Sequence, residues 1–382
     1  MDSIYLDYNA TTPLDEGVWK SMEPYFNDTW GNPSSVHRVG RRARAVLDDA
    51  RDRVSSVLQC KPSEIIFTSG GTESNNLALF GSARHRRQNG KHIVTSKVEH
   101  HAVLDVLDYL EEREGFEITR VGVDHDGRVD PDQIREVLRK DTVLVSVMAA
   151  NNEIGTLQAV DRIGALCRDR GILFHTDGVQ WFGKEPVENI HQFNADLVSI
   201  CAHKMYGPKG SGALFIRSPL LPDPILFGGG HENERRAGTE NLPAIVGLAE
   251  VVERFVRQPV FPVERLKQLT LRLEEILLRI EGVSLASPQT GRLANTVSFL
   301  AKGADSIALL ANLDLEGICA SSGAACTAGS LQPSHVIQSL GVEASLSNSL
   351  VRFSLGRETT ELDIARVETV LPKVILRAQG LQ

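Results

Sequence analysis

A lysine stands where a short apolar run stops. In DLVSICAHKMYGPKGSG (196–212) the run ends in His203 and Lys204 and passes straight into a Gly/Pro-rich turn. A lysine at the end of a buried strand loses hydration, which pushes its amine toward the neutral, nucleophilic form that imine chemistry needs. Taken alone, a lysine here is more often a solvated group at a strand end. Other reactive residues share the setting. Asp177 follows the run ILF in HTDGVQ (175–180), and Asn152 follows VLVSVM in NNEIG (151–155). An acid and an amide at two strand carboxyl ends are placed to line a crevice in an open α/β sheet. Ser69-Gly70-Gly71-Thr72 follows EIIFT and opens a helical stretch. Backbone N–H groups freed by glycines at a helix start form an anion site, although the same pattern also serves as an ordinary capped turn.

A buried aspartate is costly unless paired. A protonated heteroaromatic nitrogen, as on pyridoxal phosphate, is a natural partner. Anion turn, strand-end acid and strand-end lysine together match what that cofactor requires. Cys326 adds a second reactive group. It lies in SSGAACTAGS (321–330), a small-residue stretch with no bulky apolar anchor, which predicts a mobile loop. A cysteine there is accessible, unlike a core cysteine. Cys60 and Cys167 sit in or at the end of helical patterns and read as small buried hydrophobes.

Alternation supplies the scaffold. Strand-length apolar runs occur at 64–68, 92–96, 142–148, 172–176, 197–201 and 213–217, with helical stretches at 72–88, 101–113, 132–140 and 160–169. This pattern predicts an α/β fold with a mostly parallel or mixed sheet covered on both faces. Two long helical patterns, 242–257 and 263–279, flank QPVFP, where Pro259 and Pro262 make a hinge. Weaker strands at 295–300 and 351–355 and a helix at 361–377 follow. The expected organisation is a large domain over 15–257. A smaller α+β domain takes 1–14 and 258–382 and carries the mobile cysteine loop at about 321–332.

Bulk properties narrow the classes. The chain has 382 residues, 42% hydrophobic and 24% charged, with a net charge of −8. That charge gives no reason to expect nucleic acid or an anionic membrane as partner. No apolar run approaches a bilayer span, and the N-terminus reads as no signal peptide, so a cytoplasmic protein is the expectation. Five cysteines without a C-x-x-C pair argue against structural disulfides and an intrinsic metal site.

The ordered motifs LDYNATTP, GNPSSVH, FTSGGTESNN, EHHAVLD, NNEIGTLQ, HTDGVQ, AHKMYGPKG, GGGHENERRAGTEN, SSGAACTAGSLQPSH and VRFSLGR resemble the cysteine desulfurases of the NifS/IscS type, in the class V aminotransferase family. The resemblance runs from the N-terminus to about residue 360. It implies the fold type I architecture of pyridoxal phosphate (PLP) transferases, with a mostly parallel, mixed seven-stranded sheet. It also implies roles. Lys204 would be the Schiff-base lysine, Asp177 the partner of the pyridinium nitrogen, and His100 the residue stacked on the ring and moving protons. Asn152 and Gln180 would bond near the ring hydroxyl, with Gly71, Thr72 and His203 at the phosphate. Thr239 matches a phosphate contact that arrives from the other subunit of a homodimer. Arg352, with Asn152 and Asn32, would bind the substrate L-cysteine, and Cys326 would take its sulfur as a persulfide.

Two departures stand out. Cys201 occupies the place of a phosphate-binding serine, and His231 replaces a frequent glutamine and receives no role. The implied acceptors are sulfur-accepting proteins of iron–sulfur cluster assembly, tRNA thiolation, nitrogenase maturation or DNA phosphorothioation. Cys326 could transiently ligate a cluster on such a partner. The chain closes soon after the 361–377 helix, which reads as lacking the tail that many IscS-type members use to dock an iron–sulfur scaffold. An aminotransferase or a selenocysteine lyase would keep Lys204, Asp177 and Arg352, and a non-catalytic scaffold would not need Lys204 or Cys326.

Overall fold

The computed structural model describes residues 3–323 and 333–380. Cys326 therefore lies outside the described residues. Among the described residues there are twelve strands: β1 Ile4–Tyr5, β2 Ile65–Thr68, β3 His92–Ser96, β4 Glu117–Val121, β5 Thr142–Ser146, β6 Leu173–Asp177, β7 Leu197–Cys201, β8 Gly212–Ile216, β9 Val283–Leu285, β10 Thr296–Ala301, β11 Ile318–Cys319 and β12 Val351–Ser354.

Seven of them form one mixed sheet in the order β2-β8-β7-β6-β5-β3-β4. The pairs from β4 to β7 are parallel, and β8 runs antiparallel to both β7 and β2. Alternation within each strand feeds two apolar layers. Val94, Val145, Phe174, Val198 and Phe215 join one core, while Ile93, Leu144, Leu173, Leu197 and Leu214 join the other. Helices Gly71–Arg86 and His101–Glu114 send Leu77, Leu79, Val103 and Leu107 into the second layer. Helices Arg38–Leu58 and Leu242–Phe255 send Leu47, Val54, Leu248 and Val252 into the first. Strands buried on both faces read as continuous apolar runs, which is why β3, β5, β6 and β7 were legible in advance. The edge strand β4, EITRV, was not: it is paired on one side only and carries polar side chains.

A second, antiparallel sheet has the order β12-β10-β9, and β1 pairs parallel with β11. Helices Val263–Leu278 and Glu361–Ala378 lie with this part of the chain. The N-terminal segment links the two regions. An Asp7–Ser354 bridge and the Asn9 N–H donating to Ser354 Oγ at 2.9 Å carry residues 7–10 from β12 to the carboxyl ends of the large sheet. No helix of the described residues is long and apolar enough to cross a membrane.

Candidate active site

The carboxyl ends of β2, β5, β6 and β7 converge on one cavity of about 310 Å³. Its wall includes Gly71 and Thr72 after β2, His100 after β3, Asn152 after β5, Asp177 and Gln180 from β6 onward, and Cys201, His203 and Lys204 from β7 onward. Arg352 of β12, Gly323 and Asn9 close it from the other side. Ligands of open α/β sheets sit at this end, where free backbone groups and loop side chains meet.

Lys204 is held by a strained turn. Tyr206 is fully buried at φ +63°, a conformation that costs a non-glycine residue about 1–3 kcal/mol. Its surroundings over-determine it. The Tyr206 N–H donates to Thr12 Oγ1 at 2.8 Å, and its hydroxyl donates to Glu358 Oε2 at 2.7 Å while accepting from the Arg357 N–H at 2.9 Å. The Arg357 guanidinium covers the ring at 4.1 Å. Lys204 Nζ donates to the Asn9 carbonyl. Burial pushes the Lys204 ammonium below its ordinary range, with Arg352 adding to the effect.

Asp177 is buried and forms no ion pair among the described residues. Its Oδ2 accepts from Asn75 Nδ2 at 2.6 Å and its Oδ1 from the Val179 N–H at 2.9 Å. Each oxygen retains accepting capacity, and no cation among the described residues contacts it directly. Beneath it, His175 bridges Ser146 Oγ at 2.8 Å and Ser199 Oγ at 3.1 Å. Burial lowers the His175 pKa to about 3, so this rung of the sheet is neutral.

His100 caps its own helix. Its Nδ1 accepts from the Ala102 N–H at 3.0 Å, which leaves Nε2 to carry the proton of the neutral ring. Burial keeps it neutral by lowering its pKa against the opposing pull of Asp177. His203 is likewise lowered to about 4, by burial and then by Lys204, and meets Thr11 Oγ1 at 3.1 Å. Cys201 lines the cavity, and burial pushes its thiol up to about 11. It stands there as a neutral thiol, a weaker donor than a hydroxyl.

The anion turn is built from close backbone contacts. Gly70 sits at φ +150°, and a Cβ on Gly212 of β8 would lie 2.7 Å from the Gly70 Cα. The backbone therefore packs directly on β8 and opens helix Gly71–Arg86 toward the cavity.

Arg352 is 1% exposed. Its Nη1 donates to the carbonyls of Asn152 at 2.7 Å and Gly323 at 2.5 Å, and its Nη2 donates to Asp7 Oδ1 at 2.6 Å. Its Nε has no partner among the described residues. Gly323 stands three residues before Cys326, and an antiparallel Ser321–Arg352 bridge fixes its stem. At the far end of that segment, Ser334 Oγ donates to Glu153 Oε2 at 2.5 Å.

Two expected residues are not brought to this cavity within one chain. Asn32 is exposed and spends its Oδ1 on the Ser34 N–H at 2.8 Å. Thr239 is exposed and lines a separate cavity with Ser69, Gly210 and Arg236. Four functional neighbours were not singled out from the sequence: Asp7, Asn9, Asn75 and Lys184. Asp7 and Asn9 stand in LDYNATTP and Asn75 in FTSGGTESNN, so the motifs held them, but only the fold gives them partners.

The model of the Aminotransferase class-V family matches residues 4–367. The cysteine desulfurase IscS of Dictyoglomus turgidum is 45% identical over 373 residues, 97% of this chain and 94% of the relative. That of Methanosarcina thermophila is 42% identical over 379 residues, 99% of this chain and 93% of the relative. Among solved structures, a NifS-like protein superposes with a TM-score of 0.90 at 33% identity, covering 98% of this chain and 99% of its own. SspA in complex with cysteine gives 0.82 at 33% identity, covering 94% and 100%. The chain belongs to the class V aminotransferase family. Within it, its relatives put it with the cysteine desulfurases of the IscS/NifS type.

Proposed function

We infer that this protein is a cysteine desulfurase that uses pyridoxal phosphate to move sulfur from L-cysteine to Cys326. The supporting observation is the convergence of Lys204, a buried Asp177 with no direct ion pair among the described residues and a buried Arg352 on one cavity, with Gly323, three residues before Cys326, in its wall.

The donor set fits the cofactor. Asp177 has no cationic partner among the described residues, as a seat for a pyridinium nitrogen requires. The helix start at Gly71, Thr72 and His203 suit a phosphate, and Cys201 is at most a weak additional donor. When bound, pyridoxal phosphate supplies an electron sink for bond cleavage next to the amino-bearing carbon. Lys204, its amine made nucleophilic by burial, would attach to the cofactor's aldehyde carbon. Asp177 would hold the ring-nitrogen proton, and Asn75 keeps that carboxylate in place. His100 offers a proton at Nε2. Arg352, in the cavity wall, would receive the substrate carboxylate with its guanidinium, a task suited to a planar donor. The overall step balances without an external oxidant. The L-cysteine sulfur bonds to Cys326 Sγ as its bond to carbon breaks, the carbon takes up a proton, and L-alanine leaves a Cys326 persulfide. That sulfur then passes to an acceptor protein, as in iron–sulfur assembly or thiolation.

A homodimer is part of the reading. Thr239 is exposed and does not line its own chain's cavity, so it is available to a second copy. Apolar side chains flank the segments that carry Asn32 and Thr239: Trp30 is 70% exposed, Val36 87% and Phe227 80%. The Ala237 N–H donates to the Leu226 carbonyl at 3.4 Å, which ties the Thr239 segment to Phe227. Large apolar side chains this exposed support an association surface. Localisation in the cytoplasm belongs to the same proposal.

The test is spectroscopic and chemical. The purified protein is expected to carry a visible cofactor band that K204A abolishes, and to release alanine from L-cysteine. C326S is expected to keep the band and lose persulfide and sulfide. A C326S variant that still forms sulfide at the native rate, or still transaminates, would replace this reading with the aminotransferase one.

A further inference from the structure

One buried lysine is unused by the chemistry above. Lys184 is 2% exposed and lies four residues beyond Gln180, outside the cavity lining. Its Nζ donates to Asn9 Oδ1 at 2.7 Å and to Gln180 Oε1, and it lies 5.4 Å from the centre of the Phe261 ring. No carboxylate pairs with it among the described residues, so it is not a buried ion pair serving stability. What it does to Gln180 follows from donor counting. As an ammonium the lysine nitrogen can only donate, and as a neutral amine it has two hydrogens for its two acceptors. The amide is fixed by its two partners together: the Asn9 carbonyl can only accept and takes Nε2, which leaves Oε1 to the lysine hydrogens. A flip of Gln180 would set its oxygen against the Asn9 carbonyl. Its Nε2 is left on the opposite side, where one N–H donates to the Asn9 carbonyl at 3.0 Å and the second remains for the cavity that Gln180 lines. The Asn9 amide is fixed the same way. Its Oδ1 accepts from Lys184 and, at 3.0 Å, from Asn295 Nδ2, while its Nδ2 donates to Thr296 Oγ1 at 2.9 Å.

We propose that Lys184 is a positioning residue that locks the Gln180 amide with its nitrogen toward the cavity, so that Gln180 donates to the cofactor's ring oxygen and cannot accept from it. This rests on the pyridoxal phosphate reading of the site. A donor at the ring oxygen stabilises that oxygen as an anion and weakens its hold on the proton shared with the neighbouring imine nitrogen. Without the lysine hydrogens on Oε1, the Gln180 amide is held only through Nε2, its donation to the ring oxygen is weakened, and that hold tightens.

The readout is the pH midpoint of the visible band of the cofactor-loaded protein, which needs bound cofactor and no turnover. K184M removes both donors and is expected to raise the midpoint by about one pH unit, the tenfold in proton affinity that one lost hydrogen bond carries. K184Q keeps a donor for the Gln180 oxygen and should shift it by less. Added to Q180L, K184M should leave the Q180L midpoint where it was. A folded K184M protein with the wild-type midpoint overturns the proposal. So does a K184Q shift equal to that of K184M, or failure of both variants to accumulate as loaded protein, which would make the lysine structural. Loss of the functional reading looks different: the wild-type protein would have no visible band, or would have one and form no alanine.

Discussion

Replacing Arg352 with lysine keeps the charge and removes the fork. The guanidinium spends Nη1 on the Asn152 and Gly323 carbonyls and Nη2 on Asp7, and keeps Nε unpaired. A lysine has three hydrogens radiating from one atom, and that atom cannot occupy all these positions. Losing one charge-assisted hydrogen bond to a substrate carboxylate costs about 1.5–3 kcal/mol. At 1.4 kcal/mol per tenfold, R352K should raise KM for L-cysteine by about 10- to 150-fold. A second loss falls on the protein. If the Gly323 or Asn152 carbonyl is left buried without a donor, the penalty is about 1–3 kcal/mol, which should appear as a lower melting temperature. The assay is steady-state alanine formation over a range of L-cysteine concentrations, with the visible band recorded to confirm cofactor loading. A loaded R352K enzyme whose KM stays within about twofold of wild type would refute the assignment of substrate carboxylate to Arg352.

Glu99 gives a pH prediction. It is fully buried, and burial raises its pKa to about 8, although Ser96 Oγ and the Met148 N–H both donate to it. Because the folded value lies above the unfolded one, its contribution to stability is present below about pH 4.5 and lost as pH rises toward 8. E99Q should flatten the fall in melting temperature across that window, and an unchanged slope would count against it. His175 works in the opposite sense. With a folded pKa of about 3 against 6.5 unfolded, its contribution holds above pH 6.5 and drains away as pH falls, so acid should weaken the fold before the carboxylates titrate. The two-chain site can be tested by mixing. K204A and T239D should each be inactive alone, yet random re-association should restore about a quarter of wild-type activity, since half the dimers carry one intact site of two. A mixture with no activity, or a fully active monomer, would remove Thr239 from the neighbour's pocket.

Sequence reading reached the large sheet because β3, β5, β6 and β7 are buried on both faces. It reached Asp177 and Lys204 because they end or follow two of those runs, and Thr72 because it follows β2. It missed β4, where one-sided pairing tolerates EITRV. Lys184 was invisible for a different reason. GKEP reads as a polar turn, and nothing local reveals that its amine meets Asn9, 175 residues earlier in the chain. Asn75 likewise gains its meaning only from Asp177, 102 residues away. Periodicity reports burial along a segment. It carries no information about which distant polar atoms a buried side chain will find.

The turn that fixes Lys204 has a consequence for biogenesis. Tyr206 is clamped by Thr12, 194 residues before it, and by Glu358, 152 residues after it. A nascent chain emerging from the ribosome would present its lysine long before both clamps exist. Until residue 358 has emerged and docked, the strained turn lacks the contacts that offset its cost, so cofactor capture should be deferred to the last stage of synthesis. Reactive aldehyde chemistry would thereby be withheld from incomplete chains.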